Sequence, residues 1–216
     1  MARVPPTPAA ARRITMASAA VTVALGAAYV ATFVTWLVRV RTPAEPVGDP
    51  YLALMEGLTI LAALALLGLF AGLHRLLATA HAPRLGWATG LWALGTLLTL
   101  GVHSLQLTLV RDGWRAGTEP DYRLLWPSTS LAVEYAAWDL CLGVALLLAA
   151  GPCGSRRATR GAGRLFAVAG GLCLAALSGP LTGHIALNLL ALVGYGVLLP
   201  VGAALLVRGL EVHPYD

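Results

Sequence analysis

Six stretches of this chain are long, apolar and nearly free of charge, at 14–38, 51–73, 85–110, 128–150, 165–178 and 184–207. The hydrocarbon core of a bilayer takes about 20 apolar residues per helix, so the runs predict six membrane-crossing helices. Only 12% of the 216 residues are charged and 58% are hydrophobic, whereas a soluble domain carries about 25% charged residues. A water-soluble globule is excluded. The expected architecture is all-α: one six-helix transmembrane bundle over residues 14–208, with short tails at 1–13 and 209–216. The first run is too long for a cleavable signal peptide, and no small-residue cleavage site precedes Arg39, so it reads as an uncleaved anchor. The fifth run is short, and Ser178-Gly-Pro-Leu-Thr-Gly183 predicts a tight turn into the sixth. Pro200 predicts a kink within the sixth.

All 15 basic residues are arginine, and the net charge is +5. Ten lie on one side of the expected bundle: Arg3, Arg12, Arg13, Arg75, Arg84, Arg156, Arg157, Arg160, Arg164 and Arg208. Five lie on the other, Arg39, Arg41, Arg111, Arg115 and Arg123, diluted by acidic residues. The positive-inside rule then places both termini in the cytoplasm of a multi-pass cell-membrane protein. The basic balance belongs to membrane flanks, not to nucleic-acid binding. Trp114, Tyr122 and Trp126 of the external loop between the third and fourth runs fit an interfacial aromatic belt or a lid. His74 and His81, on the inner side, read as solvated. Cys141, Cys153 and Cys173 have no metal-like or redox spacing, and Cys141 and Cys173, within apolar runs, read as small buried hydrophobes. The glycines that recur on several spans, among them Gly57, Gly68, Gly72, Gly170, Gly171 and Gly194, point to close helix–helix approach.

Against this background three acids stand inside the spans: Glu56, Glu134 and Asp139. Ionisable groups at membrane depth are expensive, and they are retained mainly where they face a protein interior or a wet cavity. Counting about 1.5 Å per residue from the helix entries, Glu56, His103, Gln106, Glu134, Asp139, His184 and Asn188 all fall in the outer half. A shared, outward-opening pocket explains that clustering. His184 and Asn188, four apart, are expected on one helix face, continued by Tyr195, and His103 and Gln106 share another. Glu134 and Asp139 are five apart, roughly 140° around an α-helix, so they are not expected to face one spot, and Asp139 reads as the more structural of the two. His184, at a helix start, also fits a solvated or capping role. A carboxylic acid that keeps its proton in apolar surroundings can donate it, and His103 can hold, position or relay that proton. No HxxxH or HxxE pattern shares a helix face, and no Ser/His/Asp set, phosphate loop or dinucleotide fingerprint is present. No metal or cofactor is expected.

Tyr51-Leu-Ala-Leu-Met-Glu56, His103-Ser-Leu-Gln106 and Glu134-Tyr-Ala-Ala-Trp-Asp139 carry a resemblance to small six-helix bacterial integral membrane proteins. More loosely, the chain resembles the integral-membrane terpene cyclases, in which membrane-buried acids protonate an epoxide or alkene of a prenylated substrate. It has one span fewer than the fungal members. The resemblance implies an acid-catalysed cyclase or isomerase acting on a hydrophobic, isoprenoid-like substrate reached from the lipid bilayer. Glu56, Glu134 or Asp139 would then be the acid and His103 its partner. Gln106, Tyr135, Trp138, His184, Asn188 and Trp36 would bind substrate, the aromatic faces steadying a cation. The alternative from the same residues is a proton-coupled small-solute carrier or a ligand-binding membrane protein. Neither reading fixes an oligomeric state.

Overall fold

The structure, a computed structural model, describes residues 8–39, 47–110 and 126–212. Among these residues it is all-helical. Six helices are long and apolar enough to cross a membrane: α1 (Pro8–Arg39), α2 (Tyr51–Leu77), α3 (His81–Thr108), α4 (Thr129–Gly154), α5 (Arg160–Thr182) and α6 (Ala186–Val212). Trp114 and Tyr122 of the expected belt lie outside the described residues. So do Arg3, Arg41, Arg111, Arg115 and Arg123.

The helix ends differ from the apolar runs where helical backbone continues past the hydrophobic stretch. α1 begins at Pro8, six residues before the first apolar run. Proline suits a first helical position, because the N–H it lacks would have no intrahelical partner there. α5 covers 160–182 instead of 165–178. Its charged first turn, Arg160 to Arg164, does not register as apolar, yet it is helical. At its far end helix persists to Thr182 and stops at Gly183, which sits in the left-handed region at φ 77°. That is the conformation glycine adopts without penalty after a helix C-terminus. The expected turn is therefore confined to Gly183 and His184. Between α2 and α3 there is a kink in place of a loop, at His81 (φ −137°, ψ 20°), two residues before Pro83. His74 and His81 are half-buried against this corner, not fully solvated.

α1 packs on α2 and α6, the α2–α3 pair packs on α4, α4 on α5, and α5 on α6. The Arg12 guanidinium donates to the Leu210 carbonyl near the end of α6, so the start of α1 and the end of α6 lie at one end of the bundle. At the opposite end Arg39 lies over the Tyr51 ring, 5.7 Å from its centroid, and joins α1 to α2. The core is apolar, with Leu66, Phe70, Trp92, Leu142, Leu146 and Phe166 fully buried. The three cysteines are buried and free. Leu61, Leu97, Val168 and Leu181 turn outward, as lipid-facing side chains of a bundle should. Trp92 pins α3 to α2 by donating its indole N–H to the Ala63 carbonyl at 3.1 Å. Trp92→Phe keeps an aromatic ring and removes the donor. The lost hydrogen bond and the core volume vacated by the smaller ring should together lower stability by about 2–3 kcal/mol, read as an earlier unfolding midpoint in detergent.

Small residues set the spacing of α4 and α5. A Cβ on Gly170 would come 2.6 Å from the Gly143 carbonyl, and one on Gly163 would come 2.7 Å from that of Ala150. The two contacts lie seven residues apart on each helix, in antiparallel register. Three helices also contain wide turns of π type: Gln106–Val110 at the end of α3, Tyr135–Leu142 in α4 and Gly194–Leu198 in α6. The last stands just before Pro200, which has no N–H to offer the Gly196 carbonyl. The kink expected at this proline takes the form of a widened turn ahead of it.

Candidate functional site

His103 of α3 stands between two glutamates. Its Nδ1 is hydrogen-bonded to Glu56 Oε2 of α2. Its Nε2 lies 2.7 Å from Glu134 Oε1 of α4, an ion-pair distance without the alignment of a hydrogen bond. The side chains of Glu56, His103 and Glu134 are 3%, 6% and 17% exposed. Three helices thus meet through one imidazole. An imidazolium donates from both nitrogens and suits two carboxylates. A neutral ring donates from one only, and then one carboxyl holds the second proton. Either way the three groups form one buried polar cluster joining three helices.

The cluster opens on a cavity of about 240 Å³ at the end of the bundle away from the start of α1 and the end of α6. Its walls come from α1 (Thr22, Gly26, Tyr29), α2 (Met55, Glu56, Thr59), α3 (His103), α4 (Glu134, Tyr135, Trp138, Asp139) and α6 (Asn188, Tyr195, Pro200). Apolar and aromatic groups predominate. Trp138 meets Trp92 edge-on at 5.2 Å and Tyr195 in a tilted contact at 5.3 Å, a row of three rings of which Trp138 and Tyr195 line the cavity. Gly26 lets α1 close on α6, since a Cβ there would lie 2.8 Å from the Pro200 ring.

Asp139 lines this cavity too, which the α-helical spacing did not predict. It lies within the π stretch 135–142. Where backbone bonds run i→i+5 instead of i→i+4, residues five apart stack on one face. Glu134 and Asp139 therefore look into the same space, and the expectation that Asp139 faces a different way from Glu134 is corrected. It is 3% exposed, and its Oδ2 has no hydrogen-bond partner. The indole N–H of Trp138, 7% exposed, and the Oδ1 of Asn188 are likewise unpartnered. Buried polar atoms without partners are rare, and these three belong to residues of one wall.

Asn188 also donates from Nδ2 to the Tyr135 hydroxyl, tying α6 to α4, and Tyr135 in turn packs on Trp126 at 5.7 Å. Trp126, expected in the aromatic belt or a lid, thus rests on a side chain of the cavity wall.

Three expected ligand-binding residues do not reach the cavity. Gln106 is buried one turn beyond His103 and donates from Nε2 to Ser130 Oγ at 3.0 Å, a bond between α3 and α4. Trp36 is half-buried beside Phe33, centroids 5.7 Å apart. It lies seven residues past Tyr29, about 10 Å farther along α1. His184 is exposed. It shares no α-helical face with Asn188, because it precedes the helix (φ −91°, ψ 73°) and the chain enters α6 through a 3₁₀ turn, Ile185–Asn188. Tyr29 was not anticipated in the site. A lone tyrosine in the middle of an otherwise apolar span was the available signal.

Among the described residues no group of three His, Cys, Asp or Glu side chains is arranged to hold a metal ion. No family model, curated protein or solved structure matches the chain.

Proposed function

We propose that this protein is a multi-pass enzyme of the cell membrane, its termini cytoplasmic, that performs proton-transfer chemistry on a lipidic, isoprenoid-like molecule. One observation carries the reading. A carboxyl with an unpartnered oxygen, Asp139, lies on the wall of an aromatic cavity beside the Glu56–His103–Glu134 cluster. A benzene molecule fits an apolar cavity of about 150 Å³; the roughly 240 Å³ here suits a larger guest. A protonated Asp139 donates to an epoxide oxygen or alkene carbon of that guest, and the Trp138 N–H is a second donor for an oxygen function. The cation so formed meets the faces of Trp138, Tyr135 and Tyr195. Loss of a proton from the rearranged product to a carboxylate ends the cycle, and the cluster returns a proton to Asp139. The step is an isomerisation or cyclisation with no net redox change and no net proton. The ring row of Trp92, Trp138 and Tyr195 and the packed core beneath it support an enzyme over a carrier, which needs a polar path to both sides.

The test uses purified protein with prenylated epoxides and alkenes, products being followed by mass spectrometry. Asp139→Asn should reduce turnover on the order of 10²-fold or more while the protein still purifies as wild type. Undiminished turnover in that variant would remove Asp139 as the acid. Absence of conversion of every isoprenoid offered, set against pH-dependent uptake into proteoliposomes, would replace the enzyme with a carrier.

A further inference from the structure

At the opposite end of the bundle a second concavity lies among the start of α3, the end of α4 and the start of α5. It is a shallow, open groove of about 520 Å³ and has no part in the cavity above. Three arginines edge it, Arg84, Arg160 and Arg164. Among the described residues none of the three is ion-paired with a carboxylate. Arg160 and Arg164 are four apart on α5 and share a face. Arg84 reaches across from α3 and donates from Nη2 to the Leu147 carbonyl of α4 at 3.4 Å. Gly151 leaves room for it, since a Cβ there would lie 2.8 Å from Nη1. The guanidinium, though exposed, is thus tethered at the edge of the groove.

Convergence of three like charges is unfavourable without a counter-charge. Nine described arginines gather at this end of the bundle, Arg12, Arg13, Arg75, Arg84, Arg156, Arg157, Arg160, Arg164 and Arg208, against a single described carboxylate, Glu211. The missing negative charge is not supplied by the described protein. The groove sits at the ends of three membrane-length helices, where a spanning bundle leaves the apolar zone, and Leu147, Ala150 and Ala167 continue its wall toward the middle of the bundle. Guanidinium groups bind phosphate with two parallel hydrogen bonds, and the positive end of the α5 dipole adds to the attraction.

We infer that the Arg84–Arg160–Arg164 groove binds the phosphate headgroup of an anionic phospholipid, with an acyl chain along Leu147 and Ala167. The inference is independent of the chemistry in the outer cavity. Basic recesses between helix ends are a general means of holding anionic lipid.

The full-length protein in detergent is titrated with phosphatidylglycerol, phosphatidylcholine or inorganic phosphate, and bound species are counted by native mass spectrometry. Phosphatidylglycerol should bind at least tenfold more tightly than phosphatidylcholine. Each arginine near a membrane surface is worth about fivefold in anionic-lipid affinity, so Arg164→Gln should weaken phosphatidylglycerol binding roughly fivefold. The Arg84→Gln, Arg160→Gln, Arg164→Gln triple variant should reduce it to the phosphatidylcholine level. Arg208→Gln, at the same end but outside the groove, should leave it within about twofold of wild type. Arg164→Gln changes an exposed side chain and keeps the test alive if the triple variant does not fold. Equal binding of the two lipids, or equal losses in Arg164→Gln and Arg208→Gln, would overturn the site. Displacement of phosphatidylglycerol by millimolar inorganic phosphate would show a free-anion site and overturn the lipid.

Discussion

Replacing His103 with alanine should destabilise the bundle by about 3–5 kcal/mol, the usual cost of removing one partner from a buried ionic pair. Glu56 and Glu134 approach the ring from opposite sides. Without it, two carboxylates face each other across an apolar hole with no donor between them. One or both must take up a proton, or α2 and α4 must part. The consequence should extend beyond one contact, because this imidazole is where three helices meet. Unfolding in detergent, followed by helical circular dichroism or by the accessibility of the buried cysteines, measures it. A double-mutant cycle apportions it. Adding Glu56→Gln and Glu134→Gln to His103→Leu removes every charge and should recover most of the lost stability. Wild-type unfolding by His103→Ala alone would mean that the bridge contributes nothing.

The second large effect is expected at the α4–α5 contact. Gly163→Ala adds a single methyl group, but its Cβ would lie 2.7 Å from the Ala150 carbonyl oxygen and 2.8 Å from the Gly154 Cα. Both are backbone atoms, so no side chain can swing aside to make room. The helices must separate, at a cost of about 1–3 kcal/mol for overpacking of this kind, and the neighbouring Gly143–Gly170 contact should loosen with them. Gly57→Ala is the control. It lies in α2 with nothing within 4 Å of the added Cβ, so helix propensity alone should leave it neutral or up to about 1 kcal/mol more stable. If the two variants unfold together, close backbone approach does not set this interface.

Much of the fold follows from hydropathy because lipid leaves the backbone few choices. A run such as 51–73 has to be helix, and the six runs match six helices. Hydropathy is blind to helix that leaves the apolar zone, which is why Arg160–Arg164 and Pro8–Arg13 were not read as helical. For the site, depth was a better guide than helical angle. Counting rise per residue brings Glu56, His103 and Glu134 to one level whatever the helices' rotation, and there they meet. Angles assume 3.6 residues per turn throughout. That assumption fails in the wide turn 135–142, which brings Asp139 onto the Glu134 face, and at Ile185–Asn188, where a 3₁₀ turn separates His184 from Asn188. Nothing in Tyr-Ala-Ala-Trp-Asp-Leu-Cys-Leu marks a π stretch, because the form is selected by what the neighbouring helices pack against it. The Trp36 ring carries no information about depth, and α1 runs about 10 Å past Tyr29 before reaching it.

The wide turn in α4 behaves as a single-residue insertion absorbed without breaking the helix. A turn bonded i→i+5 contains one residue more than the α-helical turn it replaces. Upstream of it, Ser128 to Glu134 keep their phase; downstream, everything from Gly143 on is shifted by one position relative to an uninterrupted helix. The glycine that meets Gly170 and the alanine that meets Gly163 are in register with α5 only because of that shift. Position 139 and the α4–α5 contact are therefore coupled through chain length: a change of one residue within 135–142 would alter the acid and the helix packing together.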